Sequence, residues 1–174
     1  MKALHAWHEF YLLVGTAAAT VLALLFVAVS LGAGYLSSRY QAPTRTFMSP
    51  VVIHFTSVFF VAAVCLIPSH GPLFFSALIA ATALLGIAVS AVISVQVIRR
   101  EWTQYVPDYF AYGLLPVAAY LALLVSGIMI YAEANDALEV LAGALLALMI
   151  VNIRNAWDLT LSMVRHQADK RRSK

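Results

Sequence analysis

The residues with most capacity for chemistry stand together in Asn152-Ile153-Arg154-Asn155-Ala156-Trp157-Asp158, inside a long apolar run. Arg154 and Asp158 are four apart, so on a helix they share a face and can pair. Asn152 and Asn155 are three apart and share an adjacent face. Ionisable side chains at membrane depth normally face a bundle interior or a water-filled cavity. The competing arrangement has Arg154 reaching along its aliphatic stem to the headgroups, with Asp158 already in water. The two arrangements differ in energy. Removing one partner of a buried pair typically costs about 3–5 kcal/mol, and of an exposed pair about 0–1 kcal/mol. The buried arrangement predicts that Asp158→Asn destabilises clearly and that adding Arg154→Gln recovers much of the loss.

Other polar groups converge on the same inner level. His54 lies four residues into the second apolar run, followed by Thr56 and Ser57. Gln96 stands two residues from the inner end of the third run, and Tyr112 near the inner start of the fourth. Together with Asn152, Arg154, Asn155 and Asp158 they form a candidate cytoplasm-facing polar vestibule or pore lining. Imidazole titrates near neutral pH, which suits His54 to such a place; a hydrogen-bonded structural histidine fits the same position. On the opposite side, His5, His8, Glu9 and His70 combine imidazole with carboxylate, the ligand types of zinc and other divalent ions. Their spacing matches no defined motif, and terminal residues are often mobile, which leaves them weak metal candidates. His54 is inner while His5, His8 and His70 are outer, so no two histidines face one haem, and no cofactor is expected. There is no serine elbow, phosphate loop or HExxH. An intramembrane enzyme would have to draw its residues from separate helices.

The elements that position these groups are five apolar runs, at about 10–35, 49–68, 72–98, 108–132 and 137–164. Crossing roughly 30 Å of hydrocarbon takes about 20 apolar residues. The second run only just suffices. The chain is 63% hydrophobic and 11% charged, which excludes a soluble core. The fold class is therefore an all-α integral membrane protein with five transmembrane helices in one bundle over 1–165, followed by a basic tail, 166–174. Pro50 and Pro72 suit first helical turns. Pro68 and Gly71 break the chain between runs two and three. Pro116, in the fourth run, removes a backbone donor and predicts a kink.

Charge sets the orientation. Nine of the 11 Lys and Arg residues are Arg39, Arg45, Arg99, Arg100, Arg165, Lys170, Arg171, Arg172 and Lys174. All fall on one side of a five-crossing chain. Only Lys2 lies on the other, and Arg154 lies within the fifth run. Short loops rich in Lys and Arg stay cytoplasmic, so the N-terminus is outside and the C-terminus inside. Trp7, Trp102 and Trp157 fall near the two boundaries, where amphipathic rings favour the headgroup level. The net charge of +3 is a topological signal with a membrane-proximal tail, and does not indicate nucleic-acid binding. One cysteine, Cys65, excludes an intrachain disulfide and a cysteine zinc site.

Small residues mark helix contacts in lipid. Thr82, Gly86, Ser90 and Ser94 form one four-residue stripe; Ala118, Ala122 and Ser126 a second; Gly15 with Ala19, and Gly143 with Ala147, two more. That is more close-packing surface than one small bundle needs, and predicts a homo-oligomer. The stretch 8–20, with 25–30 after it, resembles small uncharacterised bacterial inner-membrane proteins. The resemblance covers the first helix only; it implies an inner-membrane location and carries no activity and no site residues. The leading expectation is a homo-oligomeric channel or permeation protein for a small ion or solute. The alternatives are an accessory or assembly subunit of a larger membrane complex, and an intramembrane enzyme.

Overall fold

Long stretches of Ala, Leu, Val and Ile satisfy their backbone donors and acceptors within one segment only as helix. The computed structural model describes residues 6–33, 41–68, 71–99 and 113–172, with the backbone alone at 29, 31–33, 41–49, 96–99, 159 and 162–172. Its described residues form five helices: α1 His8–Ala33, α2 Gln41–Cys65, α3 Pro72–Arg99, α4 Leu115–Tyr131 and α5 Ala137–Arg172. Three of them are long and apolar enough to cross a membrane, over His8–Ala28, Pro72–Val95 and Ala137–Asp158. Pro50–Cys65 and Leu115–Tyr131 are shorter apolar helices.

Three local features depart from expectation. The second helix begins at Gln41, not near residue 49, so Pro50 lies inside it and not in its first turn. A buried interior proline is tolerated where neighbouring helices and local backbone adjustment re-satisfy the freed groups. Pro116 sits in the first turn of α4, and residues 108–112, over which the fourth apolar run extends in sequence, lie outside the described residues. Gly113 and Leu114 make a wider π-helical turn ahead of it. The third feature is the tail: residues 166–172 continue α5 as helix, in keeping with the helix propensity of Ala, Lys, Arg and Gln.

The α4–α5 connection is tight. Ala134 N–H donates to Met129 O and Glu133 N–H to Ile130 O, the two reverse bonds of a Schellman cap. Glu133 takes the left-handed conformation, φ 54°, that glycine usually supplies there.

Packing forms a ring with a flank. α2 packs on α3 and α5, and α4 packs on α3 and α5, so α2 and α4 face each other across a four-helix ring. α1 lies outside the ring against α2 and α5. A Cβ on Gly15 would stand 3.2 Å from Cβ of Ala62, so α1 approaches α2 closely there. The Tyr11 hydroxyl donates to Leu138 O at 3.2 Å, tying the start of α1 to the start of α5. Phe55, Val58, Ile79, Ala83, Leu123, Leu145 and Leu148 fill the ring. The outer surface is Leu, Ile, Val and Phe: Leu24, Phe26, Phe74, Leu85, Ile128 and Ile150 are all exposed.

Candidate functional site: a buried polar layer

The ring has a polar section. His54 Nδ1 and the Tyr120 hydroxyl form a 2.8 Å hydrogen bond that joins α2 to α4 across the middle. Tyr120 can occupy this place because residue 86 of α3 is glycine. A Cβ there would overlap three atoms of the Tyr120 ring.

The register places α3 and α5 at the same depth. Gly86 abuts Tyr120 and Gly127 abuts Ile79, so antiparallel α3 and α4 bring Ser90 level with Pro116. Counting equally from the turn at 132–136 brings Asn152 to that level too. The Tyr11–Leu138 and Gly15–Ala62 contacts set His54 near Ile150. At 1.5 Å per residue Ser90, Asn152 and His54 agree in depth to within about 3 Å, and Tyr120, level with Gly86, completes a layer about 6 Å deep. Each helix of the ring thus contributes one polar side chain at this level: His54 from α2, Ser90 from α3, Tyr120 from α4 and Asn152 from α5. All four are buried, His54 at 1% exposure and the others at 0%.

Two of these groups have unmet hydrogen-bonding capacity among the described residues. Asn152 Nδ2 donates to Leu148 O, but its Oδ1 has no partner. Ser90 Oγ has none either. The serine is out of character for this bundle. Ser57, Ser76, Thr82, Ser94 and Ser126 each donate to a carbonyl three or four residues back, the usual resort of a hydroxyl in a helix. A buried polar group without a partner is costly and calls for an explanation, such as a ligand or water.

The vestibule divides along α5. Asn152 and Asn155 are buried and face inward with Leu141, Leu145 and Leu148. Arg154 and Asp158 do not. They approach to 3.9 Å, but at 47% and 40% exposure, beside exposed Ile153 and Trp157. Their position is the outside of the bundle, and a buried pair at a cavity mouth is not what forms. The physical reason is that a helix apolar on both faces gives no preference for which face packs, and the charged face finds the exterior near a tryptophan. An exposed pair is worth about 0–1 kcal/mol. Asp158→Asn is therefore expected to shift unfolding in detergent by less than about 1 kcal/mol; a loss of several times that would place the pair inside an interface.

Gln96 lies on α3, but its side chain is outside the described residues, as are Tyr112, His5 and His70 altogether. His8 and Glu9 are exposed at the start of α1. Among the described residues no three metal-ligating side chains gather. Tyr120 is the member that sequence reading passed over. The signal was present: a tyrosine in the middle of an apolar run must find a partner for its hydroxyl. No family model, curated protein or solved structure matches the chain.

Proposed function

We propose that the chain is a five-span protein of a bacterial inner membrane, N-terminus outside and C-terminus in the cytoplasm, that works as a homo-oligomeric channel or permeation protein for a small solute. Its buried polar layer is the narrowest section of the path. The observation that carries this reading is the pair of unpartnered buried atoms, Ser90 Oγ and Asn152 Oδ1, within about one helical turn of the His54–Tyr120 bond. A layer needed only for packing would close its own hydrogen bonds, because buried polar groups left open cost stability. In this reading the described conformation is closed, and the His54–Tyr120 bond is the latch between the two facing helices. Conduction requires α2 and α4 to separate at that bond.

The five-span count rests on the nine-to-one split of loop cations and on two further helices, Pro50–Cys65 and Leu115–Tyr131, that are apolar though short. Homo-oligomer formation has room on α5, where a Cβ on Gly143 would meet nothing within 4 Å. For orientation, cysteines placed at Ser38, Asn135 and Ser173 should label from outside intact cells only at 135; external labelling at 173 refutes it.

The activity is tested by reconstituting the purified protein in liposomes. Permeability to at least one of water, glycerol, protons or potassium should rise well above that of empty vesicles. Background rates for every probe would favour the second reading, an accessory subunit of a larger membrane complex. The observation behind that alternative is the Arg154–Asp158 pair with Trp157, a polar handle on the outside of the bundle.

A further inference from the structure

The polar layer holds no carboxylate, ammonium or guanidinium group among its described members. His54, Ser57, Ser90, Tyr120, Asn152 and Asn155 are imidazole, hydroxyl and amide. Every described Asp, Glu, Lys or Arg side chain lies elsewhere: Glu9, Glu133, Asp136 and Glu139 at the ends of helices, Arg154 and Asp158 on the exterior. The two open atoms are oxygens. Asn152 Oδ1 only accepts; Ser90 Oγ both donates and accepts. Gly86 and Ser90 are one turn apart on α3, and the Gly86 face is the one laid against Tyr120. Ser90, which is fully buried, therefore shares the Gly86 face and stands one turn from the level of Tyr120.

We infer that this section of the ring is a binding site for an uncharged, water-sized, hydrogen-bonding solute, held by Ser90 Oγ and Asn152 Oδ1 within about one helical turn of the His54–Tyr120 bridge. It rests on the permeation reading and names the class of solute that passes. Charge decides the class. An ion taken out of water into an apolar interior needs a counter-charge or a full shell of ligands. Selective cation filters meet that need with rings of carbonyl oxygens that replace the hydration shell. Two open oxygens and no carboxylate do not. A neutral solute needs only its own few hydrogen bonds completed, and a buried water typically makes about three. In the resting protein the occupant is water itself.

Two measurements on the reconstituted full chain separate this proposal from the reading beneath it. In stopped-flow light scattering, vesicles holding the protein should shrink by water efflux several-fold faster than empty ones. A pH-sensitive dye and a potassium-selective electrode should report background ion leak. Ser90→Ala should cut the neutral flux several-fold. Flux confined to protons or potassium overturns the neutral-solute site and leaves a permeation protein standing. No flux of any probe removes both. The second measurement needs no flux. If Ser90 Oγ binds an occupant, Ser90→Ala and Asn152→Leu each lower the melting temperature in detergent, because a satisfied bond is lost. If the two oxygens are simply open, removing either relieves a buried unpaired group and the melting temperature rises. A rise in both variants overturns the site.

Discussion

Gly86→Ala is expected to cost about 2 kcal/mol of stability in detergent, although alanine is the better helix former. The favourable term is small: glycine to alanine in a helix gains about 1 kcal/mol. Against it, the new methyl group falls on three atoms of the Tyr120 ring, which is fully buried. A buried ring has nowhere to swing, and overpacking of this kind typically costs about 1–3 kcal/mol. Moving the ring also breaks the 2.8 Å bond to His54, and an interhelical bond of this sort is worth about 0.6–1.7 kcal/mol. The sum lies well on the unfavourable side. Reversible unfolding in mixed micelles measures it. Combining Gly86→Ala with Tyr120→Leu should restore part of the loss by vacating the space. A Gly86→Ala protein as stable as wild type would mean that the ring does not pack on α3.

Tyr120→Phe is expected to cost about 1–2 kcal/mol, since it leaves the His54 ring buried with one fewer partner. His54→Leu in turn takes the partner from the fully buried Tyr120 hydroxyl, so its cost should be of the same size. The double-mutant cycle isolates the bond, and its coupling energy should fall near 0.6–1.7 kcal/mol. Additive single effects would show that the bond contributes nothing. If the bond is also the latch of a closed path, Tyr120→Phe should raise solute flux while lowering stability, a combination that mere damage to the bundle would not produce.

Much of the architecture is legible in the sequence because the apolar runs are long and the turn residues between them sharp. The helical class and the start of α3 at Pro72 follow from those. The start of α2 does not. Pro50 looks like a first-turn residue, and the polar stretch before it gives no hydrophobic signal, yet the helix runs on from Gln41. The polar layer was half visible. His54, Asn152 and Asn155 stand out because each is polar among apolar neighbours. Tyr120 does not stand out, because tyrosine passes for an interfacial aromatic. Its pairing with His54 spans 66 residues and depends on a glycine in a third helix. Gly86 and Ser90 read as a packing stripe; only three-dimensional contacts show that the serine forgoes the backbone bond its neighbours make. The inward and outward faces of α5 were the least legible. When both faces of a helix are apolar, the usual periodic signal of burial is lost, so Asn152 and Arg154, two residues apart, could not be assigned to opposite sides in advance.

The bond from Tyr11 to Leu138 O has a bearing on how the molecule is made. Its two ends are 127 residues apart. At a synthesis rate of about 5–20 residues per second, Tyr11 is made roughly 6–25 s before its partner carbonyl exists. During that wait α1 has only α2 to lie against, with Gly15 set on Ala62. Tyr11 stands one turn from Trp7 at the end of the helix, where interfacial water can serve its hydroxyl. A hydroxyl so near the boundary can be kept solvated until the last segment arrives; the same group placed mid-helix would have had to wait in hydrocarbon. Completion of the fold is thus deferred to the final helix, and a chain released before α5 would lack both the anchor of α1 and one wall of the ring.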